Sequence, residues 1–311
     1  MPDEFSLDEK QQIIQNLERF PQINQIIKKD ENFFRKYTIS NYQHIPENER
    51  DNQLEFTLAN ILKNIAERDF SNKLQKLDDM IALIPQDHKL KFGKKLTQQS
   101  FISTFSEIEI YYNLILRGKK PEIEPQISLN GNTVEFGFFL VGKFFLVEVK
   151  TPRLSKPLQD YFNSLRPHDS DPELHIGVGF FDEENQMFID STSSDLSSNT
   201  DFRVYPREYS RIKDLIFEET IGRNLRNIDK SFSYPLILII NYEFARIIAS
   251  LSYDIFDKLA LLMQENPPKE IQGILIYPSP MPLDNSSYFF SNPNYDFLLN
   301  EIQFFSSLIK N

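Results

Sequence analysis

Glu148-Val149-Lys150 sets a carboxylate and an amine two residues apart, a spacing that turns both side chains to one face of an extended strand. A second carboxylate, Glu135, precedes them across the dipeptide Gly142-Lys143. Glycine at the first central position of a two-residue loop predicts a type II′ hairpin turn. Such a loop pairs Val141 with Phe144, Gly137 with Glu148 and Glu135 with Lys150. The three ionisable groups then share one face, with Cβ atoms about 5–8 Å apart. A slip of one residue would send Glu135 to the opposite face. Two carboxylates without His or Cys companions suit a hard, oxygen-loving ion such as magnesium. An ion of that kind acts as a Lewis acid and acidifies a bound water, and a neighbouring lysine can stabilise developing negative charge. The bland alternative is a solvated strand end whose charges pair across the hairpin.

The hairpin needs a scaffold. Glu122–Leu129, Asn132–Val141 and Phe144–Lys150 read as three strands, with Asn130-Gly131, a strong hairpin signal, between the first two. Phe139, Val141, Phe144 and Leu146 line one hairpin face. Val134, Phe136, Phe138, Leu140, Phe145, Val147 and Val149 line the other. Both faces are apolar, which predicts a sheet covered on both sides. Ionisable groups at its end are costly unless paired or bound to metal.

Residues 101–117 predict a helix closing at Gly118. Within residues 1–98, Ser6-Leu7-Asp8-Glu9 is a capping box ahead of Ile13, Ile14, Leu17 and Phe20. Further helices are expected over Ile23–Tyr37, Asp51–Arg68 and Asn72–Leu83. Beyond residue 150, a hairpin (Ile176–Phe181 with Met187–Asp190), a polar tract, a helix Arg207–Asn227, a buried strand Pro235–Asn241, a helix over 243–265, a strand Gly273–Tyr277 and a last helix Tyr295–Ile309 are expected. The organisation is thus a helical N-terminal region, 1–98, and an α/β domain, 99–311, with an insertion at about 151–206.

Composition narrows the function. With 311 residues the chain can bury a sizeable core. It has no cysteine, which removes disulfides, thiolate metal sites and a Cys nucleophile. The polar, acidic start lacks the pattern of a signal peptide, no apolar run is long enough to span a bilayer, and a cytoplasmic protein is expected. A net charge of −11 argues against non-specific coating of nucleic acid, although a local basic groove or bound metal can still serve a phosphate backbone. His44, His88, His168 and His175 have no ligand spacing. No Walker loop, dinucleotide fingerprint or nucleophile elbow is present. Arg153, Lys156 and Arg166, then Arg207, Arg211, Lys213, Arg223, Arg226 and Lys230, could meet phosphates. Glu208, Asp214, Glu218 and Glu219 interleave the second group, which reads equally as a mixed-charge surface.

The order helix-Glu, strand-Glu, turn, Glu-x-Lys resembles the PD-(D/E)xK, or restriction-endonuclease-like, nuclease superfamily over residues 100–150. The resemblance implies a central mixed β-sheet flanked by helices. It implies that Glu135 and Glu148 bind Mg2+ or Mn2+ with the carbonyl of Val149, that Lys150 orients or activates the attacking water, and that Glu107 completes the site from the helix. Glu135 stands where the family has Asp, and Glu109 is the other helix carboxylate. The implied activity is hydrolysis of phosphodiester bonds in DNA, or RNA. The alternative is a catalytically inactive nuclease-fold module that binds a protein or nucleic-acid partner.

Overall fold

Continuous apolar runs form the centre of the sheet in a computed structural model of the chain, which describes residues 4–27, 29, 31–34, 57–65, 70–97, 101–125, 133–151, 179–182, 187–190, 217–222, 225, 233–241, 252–277 and 287–309. The strands are β1 (Glu122–Ile123), β2 (Phe136–Leu140), β3 (Lys143–Lys150), β4 (Gly179–Asp182), β5 (Met187–Asp190), β6 (Leu236–Asn241), β7 (Gly273–Tyr277) and β8 (Tyr288–Ser291). Six of them make one sheet in the order β1-β2-β3-β6-β7-β8, and β4 pairs with β5 separately. β1, β2 and β3 run antiparallel, β3, β6 and β7 parallel, and β8 antiparallel to β7. Every residue of β6 and β7 is buried, as expected of parallel strands inside an α/β sheet. The architecture is therefore α/β, with a mixed sheet flanked by helices.

The helices are α1 (Leu7–Glu18), α2 (Pro21–Ile26), α3 (Leu58–Lys63), α4 (Phe70–Ala82), α5 (Gln86–Leu96), α6 (Phe101–Leu116), α7 (Ser252–Glu265) and α8 (Leu299–Ser307). The capping box closes α1 as read: Ser6 N–H donates to Glu9 Oε2 at 2.7 Å, and Glu9 N–H to Ser6 Oγ at 3.3 Å. α6 is buried along most of its circumference, because it lies between α4 and α5 on one side and β3 on the other. One buried apolar cluster runs from Phe5 through these helices and the sheet to Leu308. Among the described residues no helix is long and apolar enough to cross a membrane.

Several expected elements differ. The helix expected over Ile23–Tyr37 stops at Ile26. Ile27 is extended (φ −85°, ψ 147°), and a 3₁₀ turn follows at Glu31–Phe34. Burial of Ile26, Ile27, Phe33 and Phe34 together is served by this break and not by one helical stripe. α3 begins at Leu58, where the Thr57 hydroxyl accepts from Asn60 N–H at 3.2 Å; the segment expected ahead of it lies outside the described residues. α5 and β8 were not anticipated at all. α8 starts at Leu299, after Glu301 Oε2 accepts the Leu298 N–H at 2.9 Å. Most of the expected 126–132, 207–227 and 242–250 segments, and the Asn130-Gly131 turn, lie outside the described residues.

The hairpin turn also differs from the expected Gly142-Lys143 loop. Leu140 pairs with Lys143, and the loop is Val141-Gly142, with φ of 49° and 80°, the type I′ combination. Gly137 therefore faces Leu146, not Glu148. Continued one step beyond the Phe136–Val147 pair, the same register brings Glu135 level with Glu148, not Lys150. Lys143 supplies the physical reason. As the first residue of β3 its ammonium reaches Glu301 at 3.2 Å and the Asp296 carbonyl at 3.3 Å. Glu301 is fully buried, and a lysine left at the loop tip would abandon that carboxylate in the core. The displacement is two residues, so every side chain keeps its face.

Phe136, Phe138, Phe145 and Val147 are buried on the core face with Ile237 and Ile239. The other face is less covered than expected, with Phe139 64% exposed and Val141 50% exposed. There the Phe144 ring folds over Gly137, where an added Cβ would come within 2.5 Å of it. Phe139 meets the same ring edge-on at 4.9 Å. Ring contacts close this end of the hairpin.

Two stability predictions follow from the turn. A β-branched residue in the left-handed region is strained by about 1–2 kcal/mol, and Asn-Gly is the preferred type I′ pair. Val141→Asn is expected to raise stability by about 1 kcal/mol; an unchanged or lower urea midpoint contradicts the strain. Lys143→Met should cost about 1–2 kcal/mol at neutral pH, less than a fully buried pair broken on one side, because the Lys143 side chain is 37% exposed. Burial lowers the Lys143 ammonium, but Glu301 and Tyr295 more than offset this and hold it above the ordinary lysine value of 10.5. Its contribution is therefore complete below that value and lost as pH rises through the higher folded one. Urea titrations should show the gap between wild type and variant closing as pH rises through that alkaline range.

Candidate active site

β2 begins only at Phe136, opposite Val147, while β3 runs on to Lys150. Residues 148–150 overhang one edge. Their other edge is held by β6 through Glu148–Leu238, Val149–Ile239 and Lys150–Ile240 pairs. The Leu146 N–H donates to the Pro235 carbonyl on the β6 side at 2.8 Å. Backbone groups alternate along a strand, so the N–H and C=O of Val149 point to the side that β2 has vacated. Glu135 fills that place: the Val149 N–H donates to Glu135 Oε2 at 2.9 Å. Glu135 does not belong to the strand expected over Asn132–Val141. It precedes β2, and its carbonyl accepts the Glu124 N–H at 2.9 Å. Its side chain thus supplies the next rung of the ladder after its backbone has turned away.

The other groups gather around this rung. Glu148 lies beside the Glu135 carboxyl, within reach of its charge, and the Lys150 ammonium contacts the Glu148 carboxylate. Burial, then the charge of Glu148, hold Glu135 well above the usual carboxylate range, against the opposing pull of Lys150. Burial would lower Lys150, but Glu135, Glu148 and Glu107 more than offset it. Glu107 enters from α6, and its Oε2 lies 2.6 Å from Lys95 Nζ. Burial raises Glu107, with Lys95 opposing. Glu109 is turned away and pairs with Lys76 at 2.7 Å. Of the two helix carboxylates, Glu107 is therefore the one beside Glu135, Glu148 and Lys150.

α6 is pinned in that orientation. Asn241 Nδ2 at the end of β6 donates to Ser106 Oγ at 2.6 Å, and Thr151 Oγ1 just past β3 donates to the same oxygen at 3.2 Å. Ser106 precedes Glu107, so both strand ends fix the turn of helix that carries it.

Lys95, Lys91 and Glu124 were not anticipated. Lys95 also lies 3.5 Å from Glu124, and Lys91 lies 3.6 Å from Glu124. The lysines are four apart on α5 and so share a face. Pro85 at the helix start, Asp87 in its first turn and Lys94-Lys95 in its last were the signals available for α5. Nothing in the local pattern ties α5 to Glu107. Glu124 sits at φ 51° immediately before Pro125, a left-handed conformation that the strand pattern of Glu122–Leu129 did not suggest.

The donor set that could hold a cation is all oxygen: Glu135, Glu148 and the vacated-edge carbonyl of Val149. Magnesium commonly takes one or two protein carboxylates and completes its shell with water and phosphate, and the residues present fit that sparse arrangement. Among the described residues no cluster of three or more His, Asp or Glu side chains is arranged to hold a metal by itself. His88 is engaged with the Tyr111 hydroxyl at 2.5 Å. His44, His168, His175, Arg153, Lys156, Arg166 and the basic residues of 207–230 lie outside the described residues. Compared with known proteins, the chain matches no family model, no curated protein and no solved structure.

The rung can be tested without any activity. Glu135→Ala leaves the Val149 N–H unsatisfied and should lower stability by about 1–3 kcal/mol. Glu135→Gln keeps an acceptor and removes the repulsion with Glu148, so its thermal midpoint should match or exceed that of wild type. Equal losses in both variants would mean that the Val149 bond is not what Glu135 supplies.

Proposed function

We propose that the chain is a nuclease with a restriction-endonuclease-like core that hydrolyses phosphodiester bonds in DNA, or alternatively RNA, with Mg2+ or Mn2+. The observation that carries this reading is the Glu135 carboxylate seated on the Val149 N–H, with Glu148 and Lys150 beside it at the overhang of β3. The chain order supports it: α6 with Glu107, the antiparallel β1-β2-β3 unit, then β6 parallel beside β3. So does the departure at the acidic position, since a longer glutamate reaches the strand edge from a residue outside the strand.

Glu135 and Glu148 would hold the divalent ion together with the Val149 carbonyl. The ion, once bound, supplies the charge that polarises the phosphate and acidifies a water. Lys150 is held as an ammonium by its acidic neighbours, so its part is to donate: it orients the attacking water and stabilises negative charge on the phosphate. Glu107 fixes the charge balance behind this pair. The Val149 hydrogen bond orients Glu135 in advance, so a ligand oxygen need not be ordered at the moment of binding.

The test is a cleavage assay of the purified chain on single- and double-stranded DNA and RNA. Cleavage is expected with Mg2+ or Mn2+ and should vanish on chelation. Glu148→Ala and Lys150→Ala should each lower it by about 100-fold or more. A wild-type chain that cuts no form of nucleic acid with either ion overturns the proposal; undiminished cutting by both variants places the chemistry elsewhere. Nucleic-acid or protein binding without cutting would favour the inactive module.

A further inference from the structure

Four carboxylates converge at this edge of the sheet: Glu107, Glu124, Glu135 and Glu148. The ammonium of Lys150 contacts Glu148 and feels the charge of Glu135. Glu107 and Glu124 are bridged by a different cation, the ammonium of Lys95, at 2.6 Å and 3.5 Å. Lys95 comes from α5, outside the helix and strands that carry the proposed site. It is within electrostatic reach of Glu135 as well.

The geometry points to Lys95 as a built-in cation of the centre: its ammonium occupies the Glu107–Glu124 carboxylate pair, so that only the Glu135–Glu148 pair is left for a divalent ion. This rests on the metal-binding reading above and assigns the N-terminal helical layer a part in it.

Three observations carry the assignment. First, both carboxylates are directed at the ammonium from separate elements, one on α6 and one past the end of β1, so the pocket is assembled by tertiary structure. Second, Glu124 is held in the left-handed region. A non-glycine residue there costs energy and persists only where its surroundings over-determine it. Those surroundings are the Glu124 N–H bond to the Glu135 carbonyl and the two lysines of α5. Third, the Lys95 side chain is 28% exposed and Glu107 12%. An ion pair that withdrawn is screened much less than a surface pair, and removing the ammonium leaves a largely buried acid, Glu107, without its partner. Two facing carboxylates without that ammonium are oxygen donors of the kind that hard cations take.

Mn2+ binding to the full chain, followed by the loss of the free-ion electron paramagnetic resonance signal, tests this directly. Wild type should bind one Mn2+ per chain, Lys95→Met should bind two, and Lys95→Met with Glu107→Gln should return to one. Lys95→Arg, which keeps the charge, should bind one. Should the Met variant fold poorly by circular dichroism, Lys95→Gln, which can hydrogen-bond both acids, must show the same gain. Two ions on wild type, or a count unchanged in the Met and Gln variants, overturns the assignment. If wild type binds none while the Met variant gains one ion that Glu107→Gln removes, the built-in cation stands and the metal reading of Glu135–Glu148 falls. If neither binds, both fall.

Discussion

The site depends on a strand that begins late. β2 leaves β3 unpaired for its last three residues, and a backbone edge facing the interior must find partners for its amides and carbonyls. β6 holds the overhang straight from the other side, so β3 cannot curl to satisfy itself. A side chain has to complete the ladder, and Glu135 does so through the Val149 N–H. That one hydrogen bond sets the position of the first carboxylate and stations it beside Glu148. It also leaves the Val149 carbonyl at an open edge. The crowding of acids, the raised Glu135 and the pull on Lys150 and Lys95 all follow from where that carboxyl is held.

The gap also explains how residues from opposite sides of a sheet come within electrostatic reach of one another. α6 packs on the core face, while Glu148 and Lys150 alternate with the core-facing Val147 and Val149 and so lie on the other face. An intact β2 would separate them. Where it is missing, Glu107 feels Lys150 and Glu135 feels Glu107. Ser106 locks this arrangement to the ends of β3 and β6, which ties the helix carboxylate to the same two strands that carry the overhang.

The hairpin was legible in the sequence to the level of faces but not of partners. Alternation of Phe and Val with Glu148 and Lys150 told which residues look the same way, and that parity survived a turn one residue earlier than expected. The turn itself is ambiguous in the sequence because glycine at 142 suits either the first place of a type II′ loop or the second of a type I′ loop. The choice between them is made 158 residues away, by a buried Glu301 that needs Lys143. The apolar runs of β6 and β7 and the capping box of α1 were readable because their signals are local. The early end of the helix after Ile26 was not, since it is decided by burial of Ile27 and Phe33 against distant partners. β8 was hidden in a tail rich in Pro and Asn.

Lys95 carries no local sequence signal of its role, for a reason general to acidic proteins. A net charge of −11 spreads the expectation of repulsion evenly, yet what matters at a site is the local balance. Counting Glu107, Glu124, Glu135 and Glu148 against Lys91, Lys95 and Lys150, the edge of the sheet carries four acids and three amines. Two of the three amines come from α5, a short helix whose sequence gives no hint of its destination. Without α5 the overhang of β3 would face an acidic hollow with Lys150 alone among the described lysines, and burial of those carboxylates would oppose folding. The N-terminal helices therefore belong to the same electrostatic unit as the sheet, and the buried cluster that joins Phe5 to Leu308 is the packing counterpart of that charge balance.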